Sequence, residues 1–224
     1  MRPVSAEFVA SIGEGDPVLT QGLPAVALVG RSNVGKSSLI NALVKRRIAR
    51  SGSNPGTTRL INVYRVSTPP SRIRPFLLVD LPGYGYTRGG TQARRTFDAL
   101  TRGFFEQVTV RTQPPASDGV RLAGIVLVVD VRHPGLESDL AALSWSLEHQ
   151  YSVIVVATKA DRISRAAGIR ASRDHLRAIA HPDVPDARNA SAGLQPVPLV
   201  TVSTETGKNL GQVWAKLKEL LRLL

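Results

Sequence analysis

Gly30-Arg31-Ser32-Asn33-Val34-Gly35-Lys36-Ser37 sets a lysine and a hydroxyl directly behind a glycine-bounded run, in the pattern G-x-x-x-x-G-K-[ST]. These residue types at this spacing suit a polyphosphate. Glycines let the backbone close around it, successive N–H groups form an anion nest, and the helix that follows adds the positive end of its dipole. Lys36 is then the cation for the β- and γ-phosphates, and the Ser37 hydroxyl a ligand for Mg²⁺. Asp80-Leu81-Pro82-Gly83 puts a carboxylate at the tip of an apolar run, where it can orient water on Mg²⁺, and sets the Gly83 N–H to sense a γ-phosphate. Thr158-Lys159-Ala160-Asp161 offers a carboxylate to the ring imino and exocyclic amino groups of guanine, donors that adenine does not present in that arrangement. Facing the wrong base, the Asp161 carboxylate would stay unpaired, so discrimination should be large. The aliphatic stem of Lys159 can lie over the base. Val202-Ser203-Thr204 adds a backbone N–H for the guanine carbonyl oxygen. Between these boxes, Ser53-Asn54-Pro55-Gly56-Thr57-Thr58-Arg59 is a loop in which a threonine can bind Mg²⁺ through its hydroxyl and a γ-phosphate through its N–H, ordering only with GTP. Singly, D-x-x-G is a common turn, T-K-A-D a helix cap and V-S-T an ordinary strand-to-helix turn. Their order behind the phosphate loop gives them meaning.

The elements that must hold these residues follow from hydrophobic patterning. Apolar runs at Ala25–Val29, Leu60–Val66, Phe76–Val79, Leu122–Val129, Val153–Ala157 and Val197–Val202 read as strands, most of them continuous enough to be covered on both faces. Helical spacing lies between them, at Ser38–Arg47, Gln92–Val108, Leu136–Gln150, Arg165–Ala180 and Lys208–Leu223. Alternating strands and helices imply an α/β fold with a parallel sheet. The connection from Val66 to Phe76 is too short for a crossover helix, so those two strands should form an antiparallel hairpin. The expectation is a P-loop three-layer sandwich on a mainly parallel six-stranded sheet, with one antiparallel strand from the hairpin. Residues 1–24 read as an N-terminal extension and 25–224 as one GTP-binding domain, with surface loops at Arg111–Gly119 and His181–Pro198.

Composition narrows the class. The chain has 224 residues, 42% of them hydrophobic and 21% charged, as a packed globule requires. It has no cysteine, which excludes disulfides, a thiolate nucleophile and sulfur-ligated zinc; its four histidines have no pair at ligand spacing. No apolar run approaches a membrane span, and the N-terminus does not read as a secretory signal, so a cytoplasmic protein is expected. The net charge is +12. Residues 1–115 carry 16 Lys+Arg against 6 Asp+Glu, whereas the remainder carries 13 against 11. Arginine supplies 23 of the 29 cations, which suits phosphate contact; a coding bias toward arginine would explain that preference but not the asymmetry between halves. A face carrying Lys45, Arg46, Arg47, Arg50, Arg65, Arg72, Arg74, Arg88, Arg94, Arg95 and Arg102 is expected to meet RNA, through phosphate contacts.

With these boxes in order, the chain resembles the translation-factor-related GTPases and, more narrowly, the EngB (YihA/YsxC) family of bacterial GTP-binding proteins. The narrow match rests on GRSNVGKSSLIN at 30–41, PGTTRLIN at 55–62, DLPGYGY at 80–86, TKAD at 158–161 and VSTETGKN at 202–209. The resemblance implies GTP binding by residues 30–37, by Gly56, Thr57, Thr58, Arg59 and Leu60, by Asp80, Leu81, Pro82 and Gly83, by Thr158, Lys159, Ala160 and Asp161, and by Val202, Ser203 and Thr204. It implies Mg²⁺ held by Ser37 and Thr58, and a role in assembly of the large ribosomal subunit on its rRNA, with a link to septation. A monomer without membrane contact is expected.

Many GTPases carry a glutamine immediately after the D-x-x-G glycine. Tyr84 stands there, so intrinsic GTP hydrolysis should be slow, and no catalytic residue is assigned. In related GTPases an asparagine at the place of Asn33 helps hold potassium near the phosphates; the alternative is an asparagine that only caps its loop. Two other readings compete. A P-loop small-molecule kinase would leave Asp161 and the Thr58 loop unexplained. A GTPase acting through protein partners at the division site would make little use of the basic half.

Overall fold

Alternate residues of four apolar strands point to opposite faces of one sheet, and helices cover both. The computed structural model describes residues 5–13, 15–16, 22–50, 60–68, 74–84, 100–109, 120–179 and 197–222. In chain order its elements are β1 (Ser5–Ile12), β2 (Ala25–Gly30), α1 (Lys36–Val44), β3 (Ile61–Ser67), β4 (Phe76–Asp80), α2 (100–107), β5 (Val108–Thr109), β6 (Val120–Asp130), α3 (Glu137–Glu148), β7 (Val153–Thr158), a 3-10 turn (Ala160–Arg162), α4 (Arg165–Ile179), β8 (Leu199–Thr201) and α5 (Leu210–Arg222). The sheet runs β1-β3-β4-β2-β6-β7-β8, with the two-residue β5 beside β6. β4, β2, β6, β7 and β8 are mutually parallel. β3 runs against both of its neighbours, pairing Asn62 with Asp80 and Val66 with Phe76 on one side. The hairpin deduced from the short connection is therefore present.

The two faces are two cores. Val26, Leu28, Phe76, Leu78, Val126, Val128, Ile154 and Val156 meet Leu39, Ile40 and Leu43 of α1 and Val213, Leu217 and Leu220 of α5. Their sequence neighbours Ala25, Ala27, Leu77, Val79, Ile125, Leu127, Val155 and Ala157 meet Phe104 of α2 and Leu143 of α3. This is why the strands read as unbroken apolar runs: neither face is wet. Burying each large aliphatic side chain contributes about 1.5–3 kcal/mol. Trp214 joins α5 to α1, donating its ring N–H to the Leu43 carbonyl at 3.2 Å and meeting Phe76 edge-on at 6.3 Å.

The strand count differs from the expected six. β1 lies within the stretch expected as an extension and adds an edge to β3, from Ser5 opposite Ser67 to Ile12 opposite Ile61. Its pattern is weak because it sits at an edge: Ala6 and Ile12 are buried, whereas Phe8 is 53% exposed and packs on Tyr64 across the strands. The helix expected to reach Val108 gives way there to β5, which pairs in parallel with Val120 and Arg121. α1 stops at Val44 rather than Arg47 because Lys45 turns left-handed (φ 55) and returns its N–H to the Asn41 carbonyl. No described helix is long and apolar enough to cross a membrane. The expected loop at 111–119, most of that at 181–198, and Gly56, Thr57, Thr58 and Arg59 lie outside the described residues.

Candidate nucleotide-binding site

Every described box lies at the C-terminal end of a parallel strand or just beyond it: 30–37 after β2, 80–83 after β4, 158–161 after β7 and 202–204 after β8. In open parallel sheets this rim is where ligands bind. Leu60 immediately precedes β3 and is exposed.

The phosphate loop is wound tightly. Asn33 and Gly35 hold positive φ of 59° and 110°, the latter a conformation that a residue with a Cβ rarely adopts. The chain then enters α1, and Leu39 donates its N–H back to the Gly35 carbonyl at 2.8 Å. Lys36 is buried, with its ammonium 2.8 Å from the Gly30 carbonyl oxygen and 3.1 Å from that of Arg31. Burial pulls its pKa down to about 8, and the nearby Asp80 carboxylate offsets part of that effect. The Ser37 hydroxyl donates to Asp80 Oδ2 at 2.7 Å. Asp80 Oδ1 is buried and has no hydrogen-bond partner among the described residues. Burial pushes the Asp80 carboxyl above its ordinary pKa, against the pull of Lys36 and Ser37. An all-oxygen pair with a spare carboxylate lone pair suits a hard cation such as Mg²⁺.

The segment after Asp80 lies directly on the loop. Ser32 donates its N–H to the Tyr84 carbonyl at 3.0 Å and its hydroxyl to the Gly83 carbonyl at 3.1 Å. A Cβ at Gly83 would stand 2.5 Å from Ser32 N and 2.6 Å from its Cα, so only glycine permits this approach. The Tyr84 hydroxyl donates to Asp139 Oδ1 at 2.8 Å, and Arg31 Nε reaches the same carboxylate at 3.1 and 3.3 Å. Burial, and then Asp139, push the phenol well above its ordinary pKa, so it stays a neutral donor.

The two boxes read from the sequence as base-facing, 158–161 and 202–204, are tied together. Thr158 Oγ1 lies 2.6 Å from the Val34 carbonyl oxygen and 3.1 Å from that of Val129, its one proton shared between them, and so ties β7 to the phosphate loop. Lys159 (φ 63) donates to the Asn33 carbonyl at 2.7 Å and to Asp130 Oδ2 at 2.9 Å. Ala160 N–H bonds the Val202 carbonyl at 3.0 Å, and the Ser203 hydroxyl donates to Asp161 Oδ1 at 2.7 Å. Thr204 follows Ser203 in the turn that precedes α5. The described site residues from all four boxes thus meet at one rim.

Two acidic residues in this rim carry no motif. Asp130, at the tip of β6, accepts Lys159 and both the Nε and the terminal nitrogen of Arg132. Burial opposes its ionisation, but these bonds hold its carboxyl well below the ordinary range. The signal was a carboxylate ending a long apolar strand, the same signal that marks Asp80. Asp139 had only its place in the first turn of α3. The single basic face expected from the sequence is also divided: Lys45, Arg46 and Arg47 are exposed beside α1, whereas Arg102 is on α2 across the sheet.

Comparison with known proteins is consistent across sequence and shape. A family described as "50S ribosome-binding GTPase" matches residues 25–159. "Probable GTP-binding protein EngB" of Symbiobacterium thermophilum is 36% identical, covering 96% of this chain and 95% of the relative. A crystal structure of a probable GTP-binding protein engB superposes with a TM-score of 0.60 at 21% identity, covering 88% of this chain and 98% of that one. Aquifex aeolicus Era bound to GDP·AlF4⁻ gives 0.64 at 20% identity, covering 89% of this chain and 57% of that one; at these identities the structures speak for the fold alone.

Proposed function

We propose, from the premise that this chain belongs to the EngB family of GTP-binding proteins, that it is a guanine-nucleotide switch acting in assembly of the large ribosomal subunit, with a link to normal septation. It binds guanine nucleotide and hydrolyses GTP to GDP and phosphate, as its family does. Residues 30–37 cradle the phosphates, with the Lys36 ammonium leaving the carbonyls of Gly30 and Arg31 for the β- and γ-phosphate oxygens. Asp161 reads the base and Ser203 orients it. Thr158, through Val34, fixes the distance between the base-reading and phosphate-binding ends. Gly56, Thr57, Thr58, Arg59 and Leu60 form the loop that senses the γ-phosphate.

Ser37 and Thr58 would hold Mg²⁺, with Asp80 orienting water on it; bound there, the ion neutralises charge developing on the phosphates. Asp80 Oδ1, buried with no hydrogen-bond partner among the described residues while Oδ2 accepts from Ser37, supports that assignment. Tyr84 in place of a glutamine supports a slow intrinsic rate. We read 25–224 as the nucleotide-binding unit, with β1 of the preceding extension closing the sheet edge, and the protein as a cytoplasmic monomer.

The observation that carries the ribosomal reading is the turn after α1. Asn41 holds it from within, donating to the Ala49 carbonyl at 2.8 Å and accepting the N–H groups of Ile48 and Ala49 at 2.9 and 2.8 Å. Lys45, Arg46, Arg47 and Arg50 of this short stretch are all exposed. Such a cluster attracts rRNA phosphates and should lose affinity steeply with salt. The test is co-sedimentation with purified large ribosomal subunits. The chain should pellet with a non-hydrolysable GTP analogue, be released by GDP, and be released by salt in either state. Failure to pellet in every nucleotide state would end the reading.

A further inference from the structure

We infer that Asp139 is a specificity-determining residue that weighs GTP against GDP: through Tyr84 it latches the segment 81–84 onto Ser32, and the γ-phosphate must undo that latch. The inference rests on residues 30–37 being the phosphate loop.

In the latched arrangement both polar hydrogens of Ser32 are spent on carbonyls of the facing segment, its N–H on Tyr84 and its hydroxyl on Gly83. Arg31 and Tyr84 are also bridged as a pair of extended residues. The Gly83 backbone lies so close to Ser32 that not even a methyl group fits between them. A γ-phosphate seated on the loop needs donors from this stretch and needs the Gly83 N–H turned toward it, so the segment must lift. Besides these bonds, one buried carboxylate resists lifting. Asp139 is buried in the first turn of α3. It accepts Tyr84 from the moving segment and Arg31 from the fixed loop, and so staples one to the other.

A ligand that needs the lifted state loses affinity in proportion to how seldom that state is populated. GDP has no γ-phosphate and makes no such demand. A hydrogen bond from a neutral hydroxyl to a carboxylate is strong enough to shift the latched equilibrium roughly tenfold. The latch therefore sets the GTP-to-GDP preference of the resting protein.

The test is calorimetric titration of the full chain with GDP and, separately, with guanosine 5′-(β,γ-imido)triphosphate, both with Mg²⁺. Tyr84→Phe removes only the phenol–carboxylate bond and leaves the Arg31–Asp139 pair intact. It should tighten the analogue roughly tenfold while GDP affinity stays within about twofold. Asp139→Asn should move the ratio the same way, and the double variant should go no further than the larger single effect. An unchanged ratio, a weakened analogue, or equal loss for both nucleotides would overturn the latch and leave Asp139 a purely structural residue. Absence of GDP binding by the unaltered chain would overturn the phosphate-loop reading instead, a separate and recognisable failure.

Discussion

Ser203 donates its hydroxyl proton to the Asp161 carboxylate at 2.7 Å across 42 positions of sequence. The bond holds the acidic group in one orientation at the rim, with Asp161 Oδ2 4.0 Å from Arg162. On the proposed reading, Asp161→Asn turns one of the two carboxylate oxygens facing guanine into an N–H donor and leaves the other a neutral amide oxygen. One hydrogen bond gives way to a donor–donor clash and the other loses its charge assistance, so GDP affinity should fall on the order of a hundredfold. Ser203→Ala should cost about tenfold, because only the orientation is lost. Competition between fluorescent GDP and unlabelled GDP, ATP and xanthosine diphosphate measures both.

Lys36 makes nucleotide binding depend on pH. Its burial brings the ammonium to about 8 in the free protein, whereas bound phosphates would keep it charged. Above pH 8 the free protein must therefore take up a proton to bind. GDP affinity should be flat below pH 7.5 and fall up to tenfold per pH unit above 8. Calorimetry at pH 8.5 in buffers of different ionisation enthalpy should show uptake of about three-quarters of a proton. No uptake would overturn this pH dependence and the lowered Lys36 pKa on which it rests.

Gly83→Ala places a methyl group against the Ser32 backbone. The segment can no longer dock, and two hydrogen bonds to Ser32 go with it. Stability of the nucleotide-free chain should drop by about 1–3 kcal/mol in urea, and GDP should still bind. Unchanged stability would show that docking contributes nothing to the resting fold.

His175 sets part of the acid stability. It is buried in α4, lines a small cavity with Leu127, Val129, Gly135, Asp139, Leu140, Leu143 and Val155, and its Nε2 has no partner among the described residues. Burial pulls its pKa below the ordinary 6.5, although Asp130, Asp139 and Asp174 pull the other way. The unfolded chain therefore takes up this proton first. Its contribution is intact above about pH 6.5 and is lost as pH falls toward the folded value, by up to about 1.4 kcal/mol per unit. Asp80, whose pKa is raised, acts with the opposite sign above 3.8; comparing wild type with His175→Leu cancels it. Urea unfolding between pH 5 and 7.5 should show a shallower slope in the variant, and parallel curves would refute the assignment.

What was legible in the sequence is what is local or buried on both sides. The phosphate loop is eight consecutive residues, and β2, β4, β7 and the Leu122–Val129 stretch of β6 announce themselves because their apolar residues pack into a core on both faces of the sheet. β1 does not, since few of its side chains are buried and its partner lies far along the chain. Asp139 was illegible for a different reason. An acid in the first turn of a helix reads as a complement to the helix dipole. Only the fold brings it to Arg31, 108 positions away, and to Tyr84, 55 positions away. The left-handed turn at Lys45, which cuts α1 short, goes with local hydrogen bonds of Asn41 with Ile48 and Ala49 that no periodicity encodes.

The pairing of β1 with β3 also imposes an order of events during synthesis. Ile12 waits for Ile61, 49 positions later. At translation speeds of 5–20 residues per second, the first strand emerges roughly 2–10 s before anything exists for it to pair with. Throughout that interval its backbone N–H and C=O groups are an open template beside the tunnel exit, so the nascent chain must be shielded there or must tolerate delay before its outermost strand can lock.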